Sequence, residues 1–161
     1  MTLKRVFWIA GVLGLIPLAI GIYLRITTGH ELAAYGSIVP WGLWVAQYIY
    51  FVGLSAGAFL LSSLVYVFGV KRFEPIGRLA VFTAILTLLL ALFTIWMDIG
   101  HLERFWYVFV YANFSSPMAW MIWLYTIYFI LLVGEFWLLM RHDLAVARAM
   151  PGWRGWVAKI A

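Results

Sequence analysis

The sequence predicts an all-helical integral membrane protein of four spans, and three observations carry that prediction. Of its 161 residues 66% are hydrophobic and 11% charged, which is more apolar surface than one soluble globule of this size can bury. Four apolar stretches are long enough to cross a hydrocarbon layer of about 30 Å, a distance that takes roughly 20 helical residues. Strands are excluded, because open sheet edges stay unsatisfied in lipid and four strands are too few to close a barrel. Composition also narrows function. The formal charge of +5 comes without a basic run and with 19% aromatics, so it points to membrane topology and not to nucleic acid. Cysteine is absent, which removes disulfides, thiolate-bound zinc, iron–sulfur clusters and covalently attached haem from this chain.

The spans are expected at about 6–22, 41–70, 76–99 and 118–140, in a single membrane domain over 1–161. The first follows Lys4 and Arg5 as a signal peptide would, but no small-residue cleavage pattern succeeds it; it reads as a retained helix kinked at Pro17. The second runs for about 30 residues, or ~45 Å of helix, and has to tilt or protrude. Lys71-Arg72-Phe73-Glu74-Pro75 ends it, and the proline closes any continuation. The third and fourth spans have ordinary transmembrane length. After them the tail 141–161, with Pro151-Gly152-Trp153 and Trp156 among basic residues, either lies on the membrane surface or leads to a further helix.

Basic residues set the orientation. Lys4, Arg5, Lys71, Arg72, Arg78, Arg141, Arg148, Arg154 and Lys159 fall on one side and only Arg25 and Arg104 on the other. The positive-inside rule then puts both termini in the cytoplasm of an inner-membrane protein, with the segments 25–39 and 100–116 facing outward.

Polar positions within spans carry the functional information, because an ionisable group at mid-bilayer costs about 2.5 to 3.5 kcal/mol even on the lenient scale. Thr83, Thr87, Ala91, Thr94, Asp98 and His101 share an arc of about 80° on the third span. Either these threonines bond back to their own helix, or the face lines the bundle interior and ends in the titratable pair Asp98 and His101. On the second span Gln47, Tyr48, Ser55, Ser62 and Tyr66 share a side that looks inward. Gly42, Ala46, Gly53 and Gly57 make a small-residue stripe opposite, where Gly53 and Gly57 are expected to form a close helix contact. Met121, Tyr125, Tyr128 and Glu135 share an arc of the fourth span. Glu135 either pairs locally with Arg141 or His142, or gives protons access from the cytoplasm. The tryptophans, among them Trp41, Trp44, Trp106, Trp120, Trp123 and Trp137, are first of all interfacial belt residues.

Three chemistries compete for such an interior. Haem held between helices needs histidines at matching depth, and His30, His101 and His142 lie in a loop, at a helix end and in the tail. Transport through discontinuous helices needs paired Gly/Pro breaks in two halves, which the sequence lacks. A quinone fits: it needs an aromatic pocket open to lipid, with hydrogen-bond partners and acid–base groups at one end.

Four motifs then carry a resemblance: Ile38-Val39-Pro40-Trp41-Gly42-Leu43-Trp44, Val52-Gly53-Leu54-Ser55-Ala56-Gly57-Ala58, Asp98-Ile99-Gly100-His101-Leu102-Glu103-Arg104-Phe105 and Asn113-Phe114-Ser115-Ser116-Pro117-Met118-Ala119-Trp120. Together, over about Gly29 to Arg141, the chain resembles the NrfD/polysulfide-reductase membrane-subunit family, and within it the DsrP/HmeB type. The resemblance implies a quinone-reactive subunit without a redox cofactor of its own, which exchanges electrons with a ferredoxin-like iron–sulfur subunit at the outer face. Cytochromes and further membrane subunits belong to some such complexes. It also implies that the aspartate of the family's Asp-Leu-Gly-Arg-Pro-like motif falls on Asp98. His101 and Leu102 stand where relatives usually have arginine and proline, and Tyr48 or Gln47 stands where some have a quinone-contacting histidine. Relatives resemble two packed four-helix bundles, so the resemblance implies that this chain covers only the N-terminal part of such an assembly, either as a fragment or short variant or with the rest supplied by another polypeptide.

The expected function is thus that of a menaquinone- or ubiquinone-interacting membrane subunit of a respiratory, sulfur-metabolism-type complex. Asp98 and His101 handle quinone protons, and Gln47 and Tyr48 bond a carbonyl. Glu103 and Arg104 organise the outer rim, and Thr83, Thr87, Thr94 and Glu135 form a proton path. No metal site is expected. The alternative is a structural anchor for peripheral redox subunits with no quinone site; a small transporter is a third class.

Overall fold

The computed structural model describes residues 3–33, 38 and 42–149, with side chains described as far as Arg141 apart from Leu32. Four of its helices are long and apolar enough to cross a membrane, and no strand occurs among the described residues. In chain order the helices are α1 (Leu3–Thr28), α2 (Leu43–Tyr66), α3 (Glu74–Asp98), the single turn α4 (Tyr107–Val110) and α5 (Pro117–Ala149). Trp41, Val39, Pro40 and the tail from 150 onward lie outside the described residues, as does the side chain of His142.

Helix ends differ from the expected spans for identifiable reasons. α1 runs unbroken through Pro17 and on past Ile22 to Thr28. Thr27 and Thr28 return their hydroxyls to the carbonyls of Tyr23 and Leu24, so these polar residues extend the helix. α2 stops at Tyr66, short of the expected Val70. The amides of Val67 and Phe68 both bond to the carbonyl of Ser63, and that of Val70 to Leu64. Gly69 supplies the left-handed turn at φ 68°, a conformation that residues with a β-carbon rarely adopt. Val67, Phe68 and Val70 keep the hydropathy high beyond this stop. At 24 residues α2 is about 36 Å long, so the excess over a hydrocarbon layer of about 30 Å is far smaller than a helix of about 30 residues would give. α5 continues as helix to Ala149, past the apolar limit at Met140.

α3 is the central element. Its buried residues, Gly77, Ala80, Val81, Ala84, Thr87, Leu88, Ala91, Thr94 and Met97, recur at steps of three and four. Most are small, so the α2 backbone lies close in a helical hairpin. In lipid this is the main source of helix association, since tails are as apolar as leucine. The approach is tightest at Gly77, where a β-carbon would sit 2.9 Å from the Tyr66 hydroxyl. α5 packs on the hairpin through Leu132, fully buried with Ala84 and Leu88. The rings of Phe59 and Tyr128 meet beside it edge to face at 5.4 Å.

A polar node ties the three helices together. Ser55 of α2 is fully buried; its hydroxyl donates to the carbonyl of Ala84 on α3 at 2.8 Å and lies 3.1 Å from the Tyr128 hydroxyl on α5. Of the expected inward side of α2, Ser55 and Ser62 are buried and Gln47 and Tyr48 half-buried, whereas Tyr66 is exposed. The glycine stripe of α2 is not as expected: Gly53 and Gly57 are exposed, and a β-carbon on either would meet nothing within 4 Å. The expected Gly53–Gly57 contact is absent among the described residues, because α2 turns its serines and not its glycines toward α3. α1 stands apart from this bundle. Its apolar side chains face outward along its length, and Arg25 is its buried residue.

Candidate functional site

The hairpin brings the start of α2 to the end of α3, so Gln47, Tyr48 and Asp98 lie at one end of the bundle, with α4 and the start of α5. Asp98 is the last residue of α3 and is half-buried. Helices end with unpaired carbonyls and a partial negative charge. Here Arg25 answers both: its Nε donates to the carbonyl of Met97 at 2.7 Å and its Nη2 to that of Ile99 at 2.8 Å. The same Nη2 lies 2.8 Å from Nε2 of His30. Arginine has no lone pair to offer, so His30 Nε2 is the acceptor.

Beside this clamp lies an apolar cleft of about 430 Å³, with walls from Trp96 of α3, Ile99 just past its end, Phe105 and Phe109 of the connector, and Ile122 and Tyr125 of α5. The connector is pinned at both ends by indoles. Trp96 Nε1 donates to the carbonyl of Leu102 at 3.1 Å, and Trp120 Nε1 to that of Phe114 at 2.8 Å. Asn113 closes an Asx turn on the amide of Ser115 and lets Pro117 open α5, where a missing N–H costs nothing. Tyr125 stands between this cleft and a second one lined by Met121 and Trp120.

The predicted residues divide into groups. Asp98, Gln47 and Tyr48 share an end and are half-buried, yet none of them lines the 430 Å³ cleft. His101, Glu103 and Arg104 form an exposed cluster. His101 Nδ1 is 3.3 Å and Arg104 Nε 3.7 Å from one oxygen of Glu103, with each side chain more than half accessible. Such exposed pairs contribute little stability, which leaves the cluster available as a rim. Along α3, Thr87 donates to Thr83, Thr83 to Leu79 and Thr94 to Ala91, each to a carbonyl of its own helix. Successive hydroxyls at 87 and 94 are about 10 Å apart along the axis, so a proton passing between them needs intervening water. At the opposite end of the bundle Glu135 is half-buried on α5, and the buried Ser62 of α2 donates its hydroxyl to the carbonyl of Phe59 at 2.9 Å. Tyr66 and Arg78, also hydrogen-bonded, line with Glu74 a cleft of about 600 Å³ nearby. Among the described residues no three His, Asp or Glu side chains converge as a metal site.

Sequence reasoning missed Arg25, which it counted only as one of two outward basic residues. The signal was present: an arginine inside the last turn of an apolar helix is costly unless carbonyls or acids receive it.

Comparison with known proteins follows the same outline. The family described as polysulphide reductase, NrfD, matches residues 30–161. A selenate reductase subunit of Mesobacillus selenatarsenatis is 49% identical over 126 residues, covering 78% of this chain and 30% of that protein. The Hdr-like menaquinol oxidoreductase integral membrane subunit of Archaeoglobus fulgidus is 35% identical over 115 residues, 70% of this chain and 29% of its own length. A putative dimethyl sulfoxide reductase membrane subunit of Halobacterium salinarum is 37% identical over 109 residues, 68% of this chain and 25% of that protein. The chain thus spans about a third or less of these curated relatives. No solved structure matches it.

Proposed function

The chain belongs to the polysulphide reductase NrfD family, and from that premise we propose that it is a quinone-interacting membrane subunit of a multi-subunit reductase. The observation that carries the reading is a half-buried carboxylate, Asp98, at the end of the bundle that also holds Gln47, Tyr48 and, beside them, an aromatic cleft. A quinol that gives up two electrons also releases two protons, so its site needs a base within reach and an apolar slot for the ring and tail. Asp98 takes or returns those protons, and His101 exchanges them with the outer aqueous side. Gln47 and Tyr48 hydrogen-bond the quinone oxygens. The electrons pass to an iron–sulfur subunit docked on the Glu103 and Arg104 rim, a cysteine-free chain having no thiolates to hold such a cluster. Menaquinone is favoured over ubiquinone by the name of the Archaeoglobus relative.

The orientation that fits this is an inner-membrane protein with both termini in the cytoplasm and Asp98 outward, from the nine-to-two distribution of basic residues. Cytochromes and the subunit that binds the terminal substrate, whether a sulfur compound or another oxyanion, complete the complex. Glu135 is the proton-exchanging residue we assign to the cytoplasmic end. Thr83, Thr87 and Thr94 mark the face between the two ends.

The test is menaquinol-linked turnover of the purified complex. Asp98→Asn is expected to lower turnover by at least about 10²-fold, the ordinary worth of general acid–base catalysis, with subunit assembly unchanged. Wild-type turnover in that variant refutes the assignment. One observation favours the second reading, a structural anchor for redox subunits: the cleft walls are almost wholly apolar, and Asp98, Gln47 and Tyr48 stand outside them. An anchor leaves turnover insensitive to Asp98→Asn and the complex free of extractable quinone.

A further inference from the structure

Arg25 comes from a helix that precedes the family-matched residues 30–161 and otherwise buries almost nothing. Arg25 itself is 7% exposed, and besides its bond to His30 its guanidinium donates to two carbonyls, Met97 and Ile99, that bracket Asp98 in the chain. The first is the last peptide before Asp98. The second belongs to Ile99, whose extended backbone (φ −67°, ψ 130°) has already left the helix. One rigid planar fork therefore fixes the residue on each side of the carboxylate, and with them the point at which α3 ends. It also brings a full positive charge to a helix terminus that carries about half a negative one.

We propose that Arg25 is the positioning residue for Asp98: it holds the final turn of α3 so that the carboxylate meets quinol in a reactive geometry. This rests on the quinone reading of Asp98 given above. Arg25 itself touches no substrate. A carboxylate freed to shift by about 1 Å loses on the order of 10²-fold in rate, so the cost of losing Arg25 falls on kcat.

The experiment is steady-state quinol oxidation, with a short-chain menaquinol analogue, by the complete complex carrying the full-length chain, normalised to assembled complex. Arg25→Gln, which is shorter, uncharged and offers one nitrogen where Nε and Nη2 each hold a carbonyl, is expected to lower kcat about 10- to 100-fold and to move KM by less than about threefold. Arg25→Lys keeps the charge without the fork and is expected to recover most of that loss, remaining about three- to tenfold below wild type. A role confined to anchoring α1 would reduce the amount of complex and its thermal stability with kcat per complex unchanged; wild-type kcat in Arg25→Gln overturns the proposal. If Arg25→Gln does not assemble, Arg25→Lys decides: a kcat within twofold of wild type overturns it, a three- to tenfold loss supports it. Asp98→Asn separates the two levels. Full activity in that variant removes the quinone reading itself, whereas an inactive Asp98→Asn beside a fully active Arg25→Gln removes only the role of Arg25.

Discussion

Removing the hydroxyl of Tyr128 tests the polar node at the centre of the bundle. The Ser55 hydroxyl spends its single hydrogen on the carbonyl of Ala84 at 2.8 Å. Tyr128 must therefore be the donor in its contact with Ser55, shared between Oγ at 3.1 Å and the backbone carbonyl at 3.2 Å. Tyr128→Phe keeps the ring against Phe59 and strands no donor, since Ser55 retains its bond to α3. The expected loss is that of one interhelical hydrogen bond in a membrane protein, about 0.6 kcal/mol and at most about 1.7. Ser55→Ala leaves the phenol with only the longer bond and is expected to cost a similar amount. The double variant should then lose less than the sum, with a coupling of about 0.5 kcal/mol. Equilibrium unfolding in mixed micelles, followed by helical signal for the four proteins of the cycle, measures it. Zero coupling would mean the bond is not made, and a single loss above about 3 kcal/mol would mean that the phenol satisfies a buried group other than Ser55.

Three further outcomes are expected. Leu88→Ala empties a fully buried position between α2, α3 and α5 and should cost about 2 to 4 kcal/mol in the same unfolding assay, the range for a cavity that cannot collapse; a loss under 1 kcal/mol would show the core to be loosely packed. Thr87→Val and Thr94→Val remove hydroxyls that bond within their own helix, so each should leave quinol turnover within about twofold of wild type, whereas a tenfold fall would make them members of a proton relay. Arg104→Glu, on the exposed rim, should weaken binding of the proposed iron–sulfur partner several-fold at low salt and little at high salt; a salt-independent effect would place docking elsewhere.

Much of the fold could be read from residue order. The four spans, the inward side of α2 around Ser55 and Ser62, and the buried face of α3 through Thr87 and Thr94 follow from hydropathy and a 100° repeat. Helix ends were harder, because Val67 and Phe68 are as apolar as the helix that Gly69 has already terminated, and hydropathy cannot see a left-handed turn. The direction of Gly53 and Gly57 was misread for a related reason. Small residues permit close packing but do not demand it, and α3 brought its own small residues, Ala80, Ala84 and Ala91, to the α2 serines instead. Site residues were legible by type and not by partner. Asp98 stood out as an acid at a span's end, but its neighbour Arg25 is more than seventy positions away and becomes visible only when α1 is set beside α3.

The hairpin of α2 and α3 bears on how the protein is made. Each of the two finds its principal neighbour in the other across a connector only a few residues long, so the pair can leave the translocon and associate as soon as the second has emerged, before α5 is synthesised. α1, greasy on every side, partitions into the bilayer alone and waits until the far end of α3 exists before its guanidinium has a carbonyl to hold. Docking of α1 therefore follows the completion of α3, although α1 is translated before it.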